Sequence, residues 1–201
     1  MNFTFDTSHL STVLGTPIEG VSHTDFYNLS ISTRQTASNP ITVETHAPIS
    51  IYDNFAFTSE NGISGGNGSF ENPYIIENWL IHPTSSAGLS ISQTDVYVLI
   101  RNCVFDGLLY ESSTGISLAN CQNINITNCS FIENSFGIRL QNSNENQFSF
   151  NNFSKNKIGI LIDNLNNSIF NENVFEKDGL VFMNGQNNSI DISNKLNGKT
   201  I

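Results

Sequence analysis

Gly115-Ile116-Ser117-Leu118, Gly137-Ile138-Arg139-Leu140 and Gly159-Ile160-Leu161-Ile162 are one phrase written three times. Gly88-Leu89-Ser90-Ile91 precedes them and Gly179-Leu180-Val181-Phe182 follows. Each copy closes on an Asn and then a large apolar residue: Asn102…Phe105, Asn128…Phe131, Asn151…Phe153, Asn173…Phe175 and Asn194…Leu196. The opening glycines step by 27, 22, 22 and 20 residues, and the closing apolar residues by 26, 22, 22 and 21. Two separate markers keep nearly the same period. A period of that length with apolar residues in alternation is the signature of a solenoid built from strands.

The columns extend outward from this phrase. Ile76, Ile100, Ile126, Phe148, Ile169 and Ile190 form a central apolar column. Asn78, Asn102, Asn128, Asn151, Asn173 and Asn194 form an Asn ladder, and Asn146, Asn167 and Asn188 a shorter one. No stretch has the apolar spacing of an amphipathic helix. Each copy therefore reads as one coil of three short strands, with like strands stacked in parallel about 4.8 Å apart. Alternation turns Ile116 and Leu118 inward and Ser117 outward. A buried Asn is costly unless its amide is paired, and stacking on its equivalents supplies the pairing. The closing phenylalanines stack likewise.

The fold class expected is all-β: a parallel β-helix of about six coils spanning residues 46–201. Residues 1–45 read as an irregular N-terminal arm ending in a polar linker, with short strands around Phe3, Phe5, Phe26, Leu29 and Ile31. The domain opens with the strand Ile49-Ser50-Ile51. The run Gly62-Ile63-Ser64-Gly65-Gly66-Asn67-Gly68-Ser69 marks turns of positive φ, not the interior of an element. It lacks the Lys-Ser/Thr ending of a phosphate-binding loop.

Composition narrows the function classes. Of 201 residues only 13% are charged, yet 38% are hydrophobic, and the formal net charge is −10. The missing charge has been replaced by Asn, 30 residues in all. An acidic chain is unsuited to nucleic acid and to anionic membrane surfaces. No run is long enough to span a membrane as a helix. Residues 1–20 lack the basic start and apolar run of a signal peptide, although the composition is that of an exported protein, so an extracellular or cell-surface location is expected. Cys103 and Cys129 hold the same place in successive copies. They form either a stack of small buried thiols or a disulfide, for which a spacing of about 5 Å is suitable. Cys121 leaves an odd thiol.

Asn72-Pro73-Tyr74-Ile75-Ile76-Glu77, Ile100-Arg101-Asn102-Cys103 and the repeated Gly-Ile-x-Leu…Asn-x-Phe rhythm resemble the right-handed parallel β-helix repeat proteins. Among them the NosD type, named for periplasmic proteins of copper-site maturation, is the closest in look. The resemblance implies a right-handed solenoid, a superfamily shared with pectate lyases and other polysaccharide-active enzymes, and little about reaction, because the motif is the scaffold itself.

No copper site can be read from the chain. His9, His23, His46 and His82 are scattered, and Met183 stands alone. The position after the central column holds Glu77, Arg101, Thr127 and Ser149, without the paired carboxylates that glycoside hydrolysis requires. Glu77 above Arg101 reads as an inter-coil ion pair. The one place where acids, a base and an irregular insertion coincide is the wide coil with Asp95, Arg101, Asp106 and Glu111. Arg101 and Asp106 are its catalytic candidates, with calcium the cofactor such a lyase site would take. Otherwise no metal or cofactor is expected.

The leading reading is a non-catalytic scaffold that binds carbohydrate or another surface polymer. The alternatives are a polysaccharide lyase or hydrolase, and a truncated paralogue without activity of its own. The outward column Ser90, Ser117, Arg139, Leu161, Val181 turns apolar toward its end. With no amphipathic cap after Lys195, it points to self-association or a capping partner at the last coil.

Overall fold

The computed structural model describes residues 43–83, 86–108 and 112–201. The expectations placed on residues 1–42, including His9 and His23, and on Glu111 lie outside them.

Three parallel sheets form the faces of a solenoid. The first face stacks Ile49–Ile51, Ala87–Thr94, Thr114–Cys121, Phe136–Asn144, Ile158–Asn166 and Leu180–Gln186. The second stacks Tyr74–Glu77, Val98–Arg101, Ile124–Thr127, Gln147–Ser149, Ile169–Asn171 and Ser189–Ile190. The third stacks Glu44–His46, Trp79–Ile81, Val104–Asp106, Ser130–Ile132, Asn152–Ser154, Val174–Glu176 and Lys195–Leu196. Five regular coils rise on an elaborated first level, in keeping with the six expected.

Three departures from the expected layout concern the ends. The strand Glu44–His46 pairs with Trp79–Ile81 and so straddles the expected boundary between residues 45 and 46. Ile63–Gly65, read as turn, pairs antiparallel with Tyr74–Glu77. Lys199–Thr200 turns back antiparallel on Lys195–Leu196, so a short hairpin closes the third face, while Leu180–Gln186 stands at the edge of the first. Phe182, Met183 and Ile190 on that last coil are exposed.

The corners explain the Asn content. Between the first and second faces Asn123, Glu145, Asn167 and Asn187 all have left-handed backbone, with φ of 53 to 62°. Between the second and third faces Asn78, Asn102, Asn128, Phe150 and Glu172 do the same, with φ of 52 to 61°. Asn tolerates that conformation better than other side chains bearing a Cβ. One left-handed residue per corner turns the chain sharply enough to begin the next face.

The corners also correct the columns. The expected Asn ladder is two ladders side by side. Asn78, Asn102 and Asn128 sit outside, at the left-handed position, with Asn102 Nδ2 donating to Asn78 Oδ1 at 3.3 Å and Asn128 Nδ2 to Asn102 Oδ1 at 2.8 Å. Asn151, Asn173 and Asn194 sit one place later and point inward, continuing the column of Cys103 and Cys129. Likewise Asn167 is a corner residue, and the inward short ladder is Asn146, Ser168 and the half-buried Asn188. In the central column Ile169 faces outward and Phe170 takes its place, stacked on Phe148 at 4.7 Å.

The remaining columns hold. Leu89, Ile116, Ile138 and Ile160 pair in register and are fully buried, as are Ile91, Leu118, Leu140 and Ile162. Phe105, Phe131, Phe153 and Phe175 stack with ring centroids 5.2, 4.8 and 4.7 Å apart. Burying each such ring contributes about 1.5–3 kcal/mol. The stack needs the glycine column beside it. A Cβ on Gly115 would stand 2.5 Å from the Gly137 carbonyl oxygen and 2.7 Å from the Phe131 ring. Cys103, Cys121 and Cys129 are buried free thiols.

Candidate functional site

The first corner carries two shallow, open depressions. Four of the six first-face strands are kinked near their ends by another left-handed residue: Gln93, Asn120, Asn142 and Asn164, with φ of 54, 54, 48 and 60°. Register places them one above another. Left-handed backbone there breaks the alternation and projects four planar amides as an outward row. Asn164 Nδ2 donates to Asn142 Oδ1 at 2.9 Å, which fixes the row's spacing. Gln93, Asn120 and Asn142 line a polar depression of about 400 Å³ together with Asp95, Gln122 and Asn144.

Cys121 lies beneath this depression with its thiol turned inward, donating to the Ile91 and Ala119 carbonyls at 3.2 Å. Burial pushes it up to about 11, so it stays protonated and is no nucleophile at neutral pH.

On the far side of the same corner lies a second depression, of about 310 Å³. Phe70, Pro73 and Tyr97 form one wall, and Asn123, Asn125 and Gln147 the other. The wall is built by the loop leading into Tyr74–Glu77. Asn67 N–H and Gly68 N–H both donate to the Asn72 carbonyl, at 3.0 and 3.1 Å, and Asn72 N–H returns to the Ser69 hydroxyl at 3.1 Å. Tyr97 N–H donates to the Gly68 carbonyl at 3.0 Å, tying the loop to the next coil. Gly66, with φ of 89°, lets the chain pass so close to Pro73 that a Cβ would stand 1.8 Å from its carbonyl oxygen. The loop thus holds Phe70 edge-on to Tyr97 with ring centroids 5.4 Å apart. Phe70 remains 71% exposed.

The residues singled out from the sequence lie on different corners of one coil. Asp95 is at the first corner, where its carboxylate accepts from Asn54 Nδ2 at 3.0 Å. Arg101 ends a second-face strand, and its Nε donates to Glu77 Oε2 at 2.7 Å, the ion pair expected. Asp106 ends a third-face strand; its Oδ1 accepts from Leu108 N–H, and its carbonyl faces His82 Nδ1. The fold does not bring the three acid and base groups together. Among the described residues no three His, Cys, Asp or Glu converge to hold a metal ion, and no helix is long and apolar enough to cross a membrane.

The family described as the right-handed beta helix region matches residues 61–199. The chain belongs to the right-handed β-helix family. That assignment fixes the hand of the solenoid as right-handed, as the resemblance implied. The matched span takes in the amide row and the Phe70 loop, so both are elaborations of the right-handed β-helix itself. No curated protein matches the chain. Sequence reasoning missed this corner. The kink residues were hidden among 30 Asn, and Phe70 and Tyr97 share no motif. The one signal was a glycine-rich run ending in an aromatic.

Proposed function

We propose that this right-handed β-helix is a non-catalytic scaffold that binds carbohydrate, or another polymer displayed at a surface, along its outward side-chain rows, outside the cell or on its surface. The observation that carries the reading is the row Gln93, Asn120, Asn142, Asn164. Four amides repeat with the coil spacing on one side of a rigid solenoid. Each amide offers a donor and an acceptor in one plane, the pairing that neighbouring hydroxyls require. A repeating polymer meets a repeating row, and a row carried by strands loses little freedom on binding. The Asn-rich, charge-poor composition supports the exported location.

The test is a polysaccharide panel on the purified protein, with and without calcium, reading retention in affinity gels beside unsaturated products and new reducing ends. Retention without turnover is expected. Turnover abolished by Arg101→Ala or Asp106→Ala would replace this reading with a lyase or hydrolase on the wide coil. Neither retention nor turnover would leave a structural protein or an inactive paralogue.

A further inference from the structure

We propose that the two depressions are subsites of one track for a neutral oligosaccharide, which crosses the first corner of the solenoid and stacks a sugar ring on Phe70. This rests on the carbohydrate-binding reading above and gives it a place and a ligand class.

Continuity comes first. The polar depression ends at Asp95, Gln122 and Asn144, and the aromatic one begins at Tyr97, Asn123 and Glu145. These are the two sides of a single corner, at most two residues apart in each coil. Asn123 Nδ2 donates to the Asp95 carbonyl at 2.8 Å across it, so the rim between the depressions is braced.

The aromatic wall has the chemistry of a sugar platform. A sugar ring presents a C–H-rich face that packs on an aromatic face and hydroxyls at its edge that need planar polar partners. Phe70 supplies the apolar face, and Tyr97 holds that ring in orientation. Asn123, Asn125 and Gln147 stand opposite. A ring this exposed on a loop this tightly bonded is pre-positioned for a ligand.

Asn125 supplies an independent sign. Its Oδ1 is shielded from solvent and accepts no hydrogen bond. A buried acceptor left without a donor is destabilising, and such groups in native structures call for an explanation. The three atoms of the same kind, on Asn134, Asn146 and Asp178, lie in ladders inside the solenoid or at its third corner. Asn125 alone lines a depression. A small rotation of its amide would let the orphaned Oδ1 accept a hydrogen bond from a saccharide hydroxyl.

Charge selects the ligand class. Both depressions are lined without a Lys or Arg, while Asp95 and Glu145 stand on the rim. A uronate, sulfate or phosphate polymer would meet like charge there and no cation to compensate, on a chain whose net charge is −10.

The experiment is isothermal titration of the full chain with cellohexaose, xylohexaose and mannohexaose, and with polygalacturonate as the acidic comparator. It is repeated on Phe70→Ala and Phe70→Trp. At least one neutral oligosaccharide is expected to bind. Phe70→Ala should weaken it by at least about tenfold, as removal of a central aromatic anchor does, and Phe70→Trp should keep it. The urea midpoint of both variants should match the parent, because the ring is exposed. A neutral sugar bound equally by Phe70→Ala would overturn the track and leave the scaffold reading standing with its site elsewhere. Binding of polygalacturonate alone would overturn the ligand class. No saccharide binding at all would overturn the track and the carbohydrate half of the scaffold reading, leaving another surface polymer as its ligand.

Discussion

Asn151 reaches Asn173 twice. Its backbone N–H and its side-chain Nδ2 both donate to Asn173 Oδ1, at 3.1 and 3.0 Å, and Nδ2 also reaches the Ile126 carbonyl at 2.8 Å. Asn173 repeats the pattern on Asn194 and on the Phe148 carbonyl. One inward amide thus satisfies backbone groups of two coils where the chain turns a corner and the sheet cannot.

Replacing Asn173 by Ala leaves the Asn151 donors facing a void. Each unsatisfied buried group costs about 1–3 kcal/mol, so a loss of about 3 kcal/mol is expected in urea unfolding. Asn128 forms the same kind of bond in the outer ladder, where water competes. Asn128→Gly, which keeps the left-handed backbone without strain, should change stability by less than about 1 kcal/mol. Equal losses in the two variants would refute the division into an inner and an outer ladder.

The glycine column predicts a contrast within one residue type. A Cβ on Gly137 would stand 2.5 Å from the Gly159 carbonyl oxygen and 2.8 Å from the Phe153 ring. On Gly179 the nearest atom is 3.7 Å away. Gly137→Ala should therefore destabilise by about 1–3 kcal/mol, and Gly179→Ala should be nearly neutral. Thermal unfolding of the pair decides it.

Asp178 ends the ladder of Asn134 and Asn156 with a carboxylate. Its Oδ2 accepts Asn156 N–H and Nδ2 at 3.1 and 2.7 Å, while Oδ1 is buried without a partner. Burial holds its pKa above the ordinary 3.8, ahead of the Asn156 hydrogen bonds that lower it. The neutral form is thus favoured in the fold, and what this group contributes to stability is lost as pH rises through its folded pKa. Asp178→Asn, with an Nδ2 to donate where Oδ1 is orphaned, should be about 1 kcal/mol more stable at pH 7. The advantage should shrink toward pH 4. A variant less stable than the parent at pH 7 would show that the carboxylate is needed there.

The thiols set the alkaline limit. Burial pushes Cys121 up to about 11 and raises Cys129 well above 9.0, while a hydrogen bond from Cys129 lowers Cys103. Groups with raised folded pKa values bind more protons in the fold than in the unfolded chain once pH passes about 9. Stability should then fall between pH 9 and 11, and Cys121→Ala should flatten the slope of the urea midpoint against pH. In limited alkylation of the folded protein Cys103 should react before Cys121 and Cys129.

The glycine column and the third-face phenylalanines were legible in the sequence because glycine alone fits beside that ring stack, and the ring recurs there at one position in each coil. Asn has two roles one residue apart, the left-handed corner and the inward ladder. Asn102 fills the first beside Cys103, and Asn151 the second beside Phe150, so a column drawn through Asn alone slides from one to the other. The slide leaves a trace, a step of 23 between Asn128 and Asn151 where Phe131 to Phe153 steps by 22. Ile169 and Phe170 exchanged places for the same reason, both being apolar. The candidate site was illegible because Phe70 and Tyr97 meet only through a loop that reaches over the next coil, and because the amide row depends on kinks no local pattern announces.

Gly115, Gly137 and Gly159 are spaced by 22 residues each, and every ladder and stack between them keeps that interval. The gene can therefore lengthen or shorten this part of the protein only in whole quanta. Losing one residue within a strand turns the inward side chains of the rest of that strand outward, whereas excising 137–158 joins Phe136 to Gly159 and leaves each column continuous with one storey fewer. Chain length becomes a digital variable, and the reach of the outward rows can be set by copying a single exon-sized phrase.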